Sequence, residues 1–133
     1  MKYSIVLLCL IFSLVSCRNP GELIDQIQGE WTLTGTSGTV SGGGINTLWN
    51  EISIEDNSFD LINVDAITGQ SEVIASGEFV DMGAELFDVR LSSTTIDDLA
   101  IELDPEKMIS VTANQMDWAS PCCDRINYHF ISK

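Results

Sequence analysis

The hydrophobic pattern changes period at Gly29. Ahead of it, in 22–28, Leu23, Ile24 and Ile27 fall on one helical face, and Gly29 is a natural stop. This predicts a helical turn or two. Behind it the period is two. Trp31 and Leu33 alternate with Thr32 and Thr34, and Leu48, Ile52 and Ile54 share a face. Asp56-Asn57 turns the chain into a strand over 59–64, and Thr68-Gly69-Gln70 turns it again. Val73, Ala75 and Phe79 then alternate with Glu72, Ser76 and Glu78. After Met82-Gly83, Phe87, Val89 and Leu91 share a face, as do Leu99, Ile101 and Leu103 ahead of Asp104-Pro105-Glu106. Ile109 with Val111, Met116 with Trp118, and 126–130 complete the series. Short strands between turn signals predict an all-β domain. The expected form is a small up-and-down antiparallel barrel of about eight strands with a short N-terminal helix; a β-sandwich is the alternative.

The first residues follow neither period. Met1-Lys2 gives a positive start, and Ile5 to Val15 is apolar but for Ser13. A membrane-crossing helix needs about 20 apolar residues, so this run has the length of a signal-peptide core. Directly after it, Leu14-Val15-Ser16-Cys17 resembles the lipobox of bacterial lipoproteins. The resemblance implies cleavage before Cys17, a diacylglyceryl thioether on its sulfur and acylation of the new amine. Two or three acyl chains would anchor the protein stably, at about 0.8 kcal/mol per buried methylene. The expected organisation is a signal peptide over 1–16, a lipidated tether over 17–21 and a β domain over 22–133. The expected address is the bacterial envelope, specifically the outer membrane, with the lipid on Cys17 as the membrane contact.

Charge narrows the partners. The chain has 20 acids against 6 bases and a formal charge of −14. Losing Lys2 with the signal makes the mature chain one unit more negative. Such a balance repels nucleic-acid phosphates, so no nucleic-acid partner is expected. The acids read as a solvated shell. Their densest groups, 55–60 and Asp97-Asp98, lack the spacing of a calcium loop and look like turns or strand edges. The Gly-rich patch Ser37–Gly44 lacks the ending of a phosphate-binding loop. It reads as a flexible surface loop, or as a lid over a cavity.

Gly29-Glu30-Trp31 after a helical turn resembles the opening of lipocalin-like proteins. The chain as a whole is similar to small lipocalin-like lipoproteins of the Bacteroidetes type. They share the Gly-x-Trp-x-Leu start, here Gly29 to Leu33, and often a late Cys-Cys-Asp followed by Tyr-x-Phe, here Cys122-Cys123-Asp124 and Tyr128-His129-Phe130. The resemblance implies that Gly29 and Trp31 form the packed base of the barrel, covered by Ile24 and Ile27. It also makes Arg125 the loose match to an arginine that packs on the Trp. No Thr-Asp-Tyr motif lies between the middle strands, and the resemblance hands down no particular ligand.

Catalytic chemistry is sparse. His129 is the single histidine, and alternation puts it opposite Tyr128 and Phe130, facing solvent or a hydrogen-bond partner rather than serving as a general base. Hydrolase-elbow and zinc-helix motifs are absent, and a four-ligand zinc site would need carboxylates from scattered loops. No enzyme activity, cofactor or metal is expected. Cys122 and Cys123 form a candidate thiol pair. Neighbouring Cα atoms lie about 3.8 Å apart, closer than the roughly 4.4–6.8 Å a disulfide prefers. The pair reads first as part of a turn over 120–124, with a redox switch, a copper or zinc ligand pair and an intermolecular link as functional alternatives.

Two functions fit. One is a binding module whose barrel holds a small hydrophobic ligand. The other is a structural or interaction module, filled by its own side chains, that meets an envelope protein partner. An eight-stranded barrel is just wide enough for either.

Overall fold

The computed structural model of the chain describes residues 20–38, 48–95, 106–122 and 125–133. Cys17, Cys123, most of the Gly-rich patch and the expected strand through Leu99–Leu103 lie outside the described residues. Helix α1 (Pro20–Ile27) precedes β1 (Gly29–Ser37), β2 (Glu51–Glu55), β3 (Ser58–Val64) and β4 (Ser71–Gly83). Then follow β5 (Leu86–Thr94), β6 (Glu106–Thr112), β7 (Gln115–Ala119) and β8 (Asn127–Ser132). The strands pair antiparallel in sequence order, and β8 returns to β1, closing an eight-stranded up-and-down barrel. Helix α1 starts earlier than expected, with Pro20 and Gly21 in its first turn rather than in the tether. Proline suits that position because the first helical N–H groups have no intrahelical acceptor.

The meander defines two ends. Helix α1 enters β1 at Gly29, so the β2–β3, β4–β5 and β6–β7 turns share its end. Ser37, Cys122 and the start of β8 lie at the other. The turns at the α1 end are tight. Asp56, Gly83, Ala84, Glu85 and Ala113 all adopt positive φ there, as two-residue hairpins demand.

The inner face carries the core. Leu23 and Ile27 of α1 are buried with Trp31, Ile52, Ile54, Phe59, Leu61, Phe79, Phe87, Ile109, Met116, Trp118, Tyr128 and Phe130. Two expectations of facing are corrected. Leu48 is exposed, and Trp49 is buried in its place. The register of β2 begins at Glu51, with the Asn50 backbone still bonded to Leu33 and Ile62, and the alternation does not extend back to Leu48. Val73 is also exposed, whereas Ile74 and Ala75 are both buried. Leu61 pairs Ala75 while Ile62 pairs Val73, so Ile74 is the extra residue of a β-bulge that shifts the inward phase.

Candidate functional site

The α1 end of the barrel holds Gly29 and Trp31. Trp31 is buried in the first strand, Ile27 beneath it is buried, and Ile24 packs against the same core. Gly29 joins helix to strand at φ 109°, in the region that favours glycine. Arg125 does not reach Trp31. It precedes β8 at the opposite end, whereas Trp31 pairs with Ser132 at the end of that strand. The C-terminal Lys133 closes this end instead: its backbone N–H donates to Glu30 O at 2.9 Å and its Nζ to Glu51 Oε2 at 2.6 Å.

Aromatic rings cluster in the interior. Phe87 meets Phe79 at 6.2 Å between centroids, and Phe79 meets Phe59 at 4.9 Å and Trp118 at 5.4 Å. Trp118 continues to Phe130 at 5.4 Å and Tyr128 at 6.5 Å, and Tyr128 reaches Trp49 at 5.3 Å. These distances fall in the range where tilted and edge-to-face rings attract beyond their area burial. Lys107 lies among them with no solvent exposure, its Nζ 5.8 Å from the Tyr128 ring centroid, within cation–π range. The Trp118 indole N–H is buried without a hydrogen bond among the described residues.

Outside the α1 end, Gly21, Ile24, Asp25, Gln28, Asp56, Asn57 and Asp81 line a groove of about 580 Å³. Gln28 bridges its walls, accepting from Asp56 N at 2.7 Å and donating to Asp56 O at 2.9 Å. Among the described residues no three histidine, cysteine or carboxylate side chains gather to hold a metal. At the other end Cys122 is an exposed free thiol.

The outer face at the β1–β8–β7 seam carries a polar constellation. His129 pairs across strands with Gly35 on one side and Asp117 on the other. Its ring points outward, away from Tyr128 and Phe130, as alternation predicts. Nδ1 lies 2.6 Å from Asp117 Oδ1, and Nε2 lies 2.8 Å from Ser37 Oγ. Ser37 sits two pairs along from Gly35, opposite Asn127, and so projects beside His129 on the same face. Thr34 also holds β8, its hydroxyl donating to His129 O at 2.9 Å. Sequence reasoning singled out the histidine but neither of its partners. Ser37 opened the Gly-rich patch, and Asp117 passed as the polar residue between Met116 and Trp118. Both are found only through barrel closure and the β7–β8 register.

Compared with protein-family models, with curated proteins and with solved structures, the chain matches none.

Proposed function

We propose that the chain is a lipid-anchored lipoprotein of the bacterial envelope, lipocalin-like in build, whose barrel is filled by its own side chains and serves as a structural or protein-interaction module. The observation that carries this reading is the continuous ring cluster from Phe87 through Phe79, Trp118 and Tyr128 to Trp49. An eight-stranded barrel has room for side chains or for one small ligand, and the aromatic cluster supports the first of these. The short helix over the base, Gly29 at the junction and buried Trp31 support the lipocalin-like part of the reading. The apolar run over 5–15 and the lipobox ending at Cys17 support the anchor, with the outer membrane as its address.

Two measurements test it. Cells fed a palmitate analogue should label the wild-type chain and leave Cys17→Ala unlabelled and unprocessed; equal labelling of both removes the anchor. The detergent-solubilised chain, titrated with fatty acids, retinoids and haem, should show no tryptophan-fluorescence change below about 100 μM, a free energy near −5.5 kcal/mol. Tighter binding of any of them returns the small hydrophobic ligand and the binding-module reading.

A further inference from the structure

The arrangement of Ser37, His129 and Asp117 has the connectivity of a nucleophile, a base and an orienting acid. A carboxylate only accepts hydrogen bonds, so the contact at 2.6 Å fixes a proton on His129 Nδ1. In the neutral ring Nε2 is then an acceptor, and the Ser37 hydroxyl 2.8 Å away donates to it. Such a chain is recognised by geometry and role, not by fold or sequence position. We propose that Ser37, His129 and Asp117 form a hydrolytic triad on the outer face of the barrel, acting on small neutral or cationic acyl esters.

The roles follow from the contacts. Ser37 Oγ attacks the ester carbonyl and forms the Oγ–C bond while its proton passes to His129 Nε2. The bond from carbonyl carbon to alcohol oxygen breaks, and the alcohol leaves with that proton. Water then attacks the acyl-serine, again giving a proton to Nε2, and the acid departs as Ser37 recovers its hydrogen. Asp117 is a positioning residue, holding the ring's orientation and tautomer.

The surroundings set the substrate class. Ser37 is exposed, and the His129 and Asp117 side chains are 42% and 50% exposed, so a reactant reaches the hydroxyl directly. A Cβ built on Gly35, the cross-strand partner of His129, meets no atom within 4 Å, which leaves the β1 flank of the ring uncovered. A formal charge of −14 repels anionic esters and tolerates neutral or cationic ones. An open sheet face excludes little water, so covalent capture of the serine is a more sensitive readout than turnover.

The test treats the detergent-solubilised full chain with a neutral alkyl fluorophosphonate and locates the adduct by peptide mass spectrometry. The expected result is a single adduct on Ser37, absent from heat-denatured protein and from Ser37→Ala. His129→Ala should slow capture about 100-fold, the usual contribution of a general base. Asp117→Asn should slow it at least about tenfold, as expected from loss of the right tautomer, with Asp117→Glu recovering part of the rate. Thr34→Val, which removes only the bond to the His129 carbonyl, should leave the rate within about twofold. Hydrolysis of p-nitrophenyl acetate should follow the same order, with the losses in kcat rather than KM. Capture equal to that of denatured protein, or capture indifferent to His129→Ala, overturns the triad and leaves the three residues as a surface hydrogen-bond ladder. All three project outward, so circular dichroism matching the wild type separates lost chemistry from lost folding.

Discussion

The indole Nε1 of Trp31 donates a buried hydrogen bond of 2.8 Å to the carbonyl oxygen of Ile27. Ile27 is the last residue of α1, and carbonyls in a final helical turn have no intrahelical donor. The tryptophan therefore serves the base twice. Its rings occupy the core above α1, and its N–H satisfies a helix end that the core has cut off from water. Trp31→Ala should cost about 3–5 kcal/mol, as for a large aromatic removed from a core. Trp31→Phe keeps most of the packing and loses the donor, so it should cost about 1–3 kcal/mol, the penalty for stranding a buried polar group. Urea denaturation of the three proteins measures both. An alanine variant as stable as the wild type would mean that the base does not hold the barrel.

Most of the fold is legible in the sequence because a barrel wall obeys one rule. Inward positions recur every second residue, and Phe87 with Val89, Met116 with Trp118, and Tyr128 with Phe130 face the core as alternation dictates. The rule fails where backbone pairing changes phase. At Ile74 a bulge inserts one residue, and Val73 is turned outward. Ahead of Asn50, whose N–H still donates to Ile62 O at 3.0 Å and whose carbonyl accepts from Leu33 N at 2.8 Å, the ladder ends and Trp49 turns inward in place of Leu48. The Asn50 side chain adds to this backbone pairing, accepting from Val64 N at 2.8 Å and donating to Val64 O at 2.9 Å. Lys107 was legible and overlooked. Ile109 and Val111 mark the inner face of β6, and two residues back on that face stands Lys107, which a reading guided by polarity passes over. The triad was the least legible part. It joins β1 to β8, the pair that closes the ring, and so unites residues 92 apart in the chain.

The thiol pair should matter little to stability. Cys122 is exposed and free, in the connection between β7 and β8. A bridge between adjacent residues closes almost no chain loop and so constrains the unfolded chain very little. Replacing both Cys122 and Cys123 by serine should lower stability by less than about 1–2 kcal/mol. Equilibrium unfolding of the double variant, with and without reductant, measures this. A larger loss, or a metal retained by the native protein in mass spectrometry, would give the pair a function beyond the turn.

The last prediction concerns pH and rests on Asp65. Its carboxylate accepts from Thr68 N at 2.7 Å and from Ile67 N at 2.8 Å in the loop between β3 and β4. The backbone bond from Thr68, then that from Ile67, holds the carboxyl below its ordinary value of 3.8. Hydrogen bonds to the charged form favour that form. The sign follows from proton linkage. The unfolded chain binds a proton at this group at higher pH than the folded chain does, so stability rises with pH across that interval. The contribution is complete above the unfolded value and is lost as pH falls through the lower, folded one. Asp65→Asn keeps an acceptor for both N–H groups and removes the titration. Its stability deficit against the wild type should therefore be present at neutral pH and shrink below about pH 4. The carboxyl is solvent-exposed, so the deficit should also shrink with added salt. Carboxyl-carbon NMR gives the direct check, with Asp65 titrating below 3.8 in the folded protein. A midpoint at or above that value would mean that the loop does not hold Thr68 and Ile67 against the carboxylate in solution.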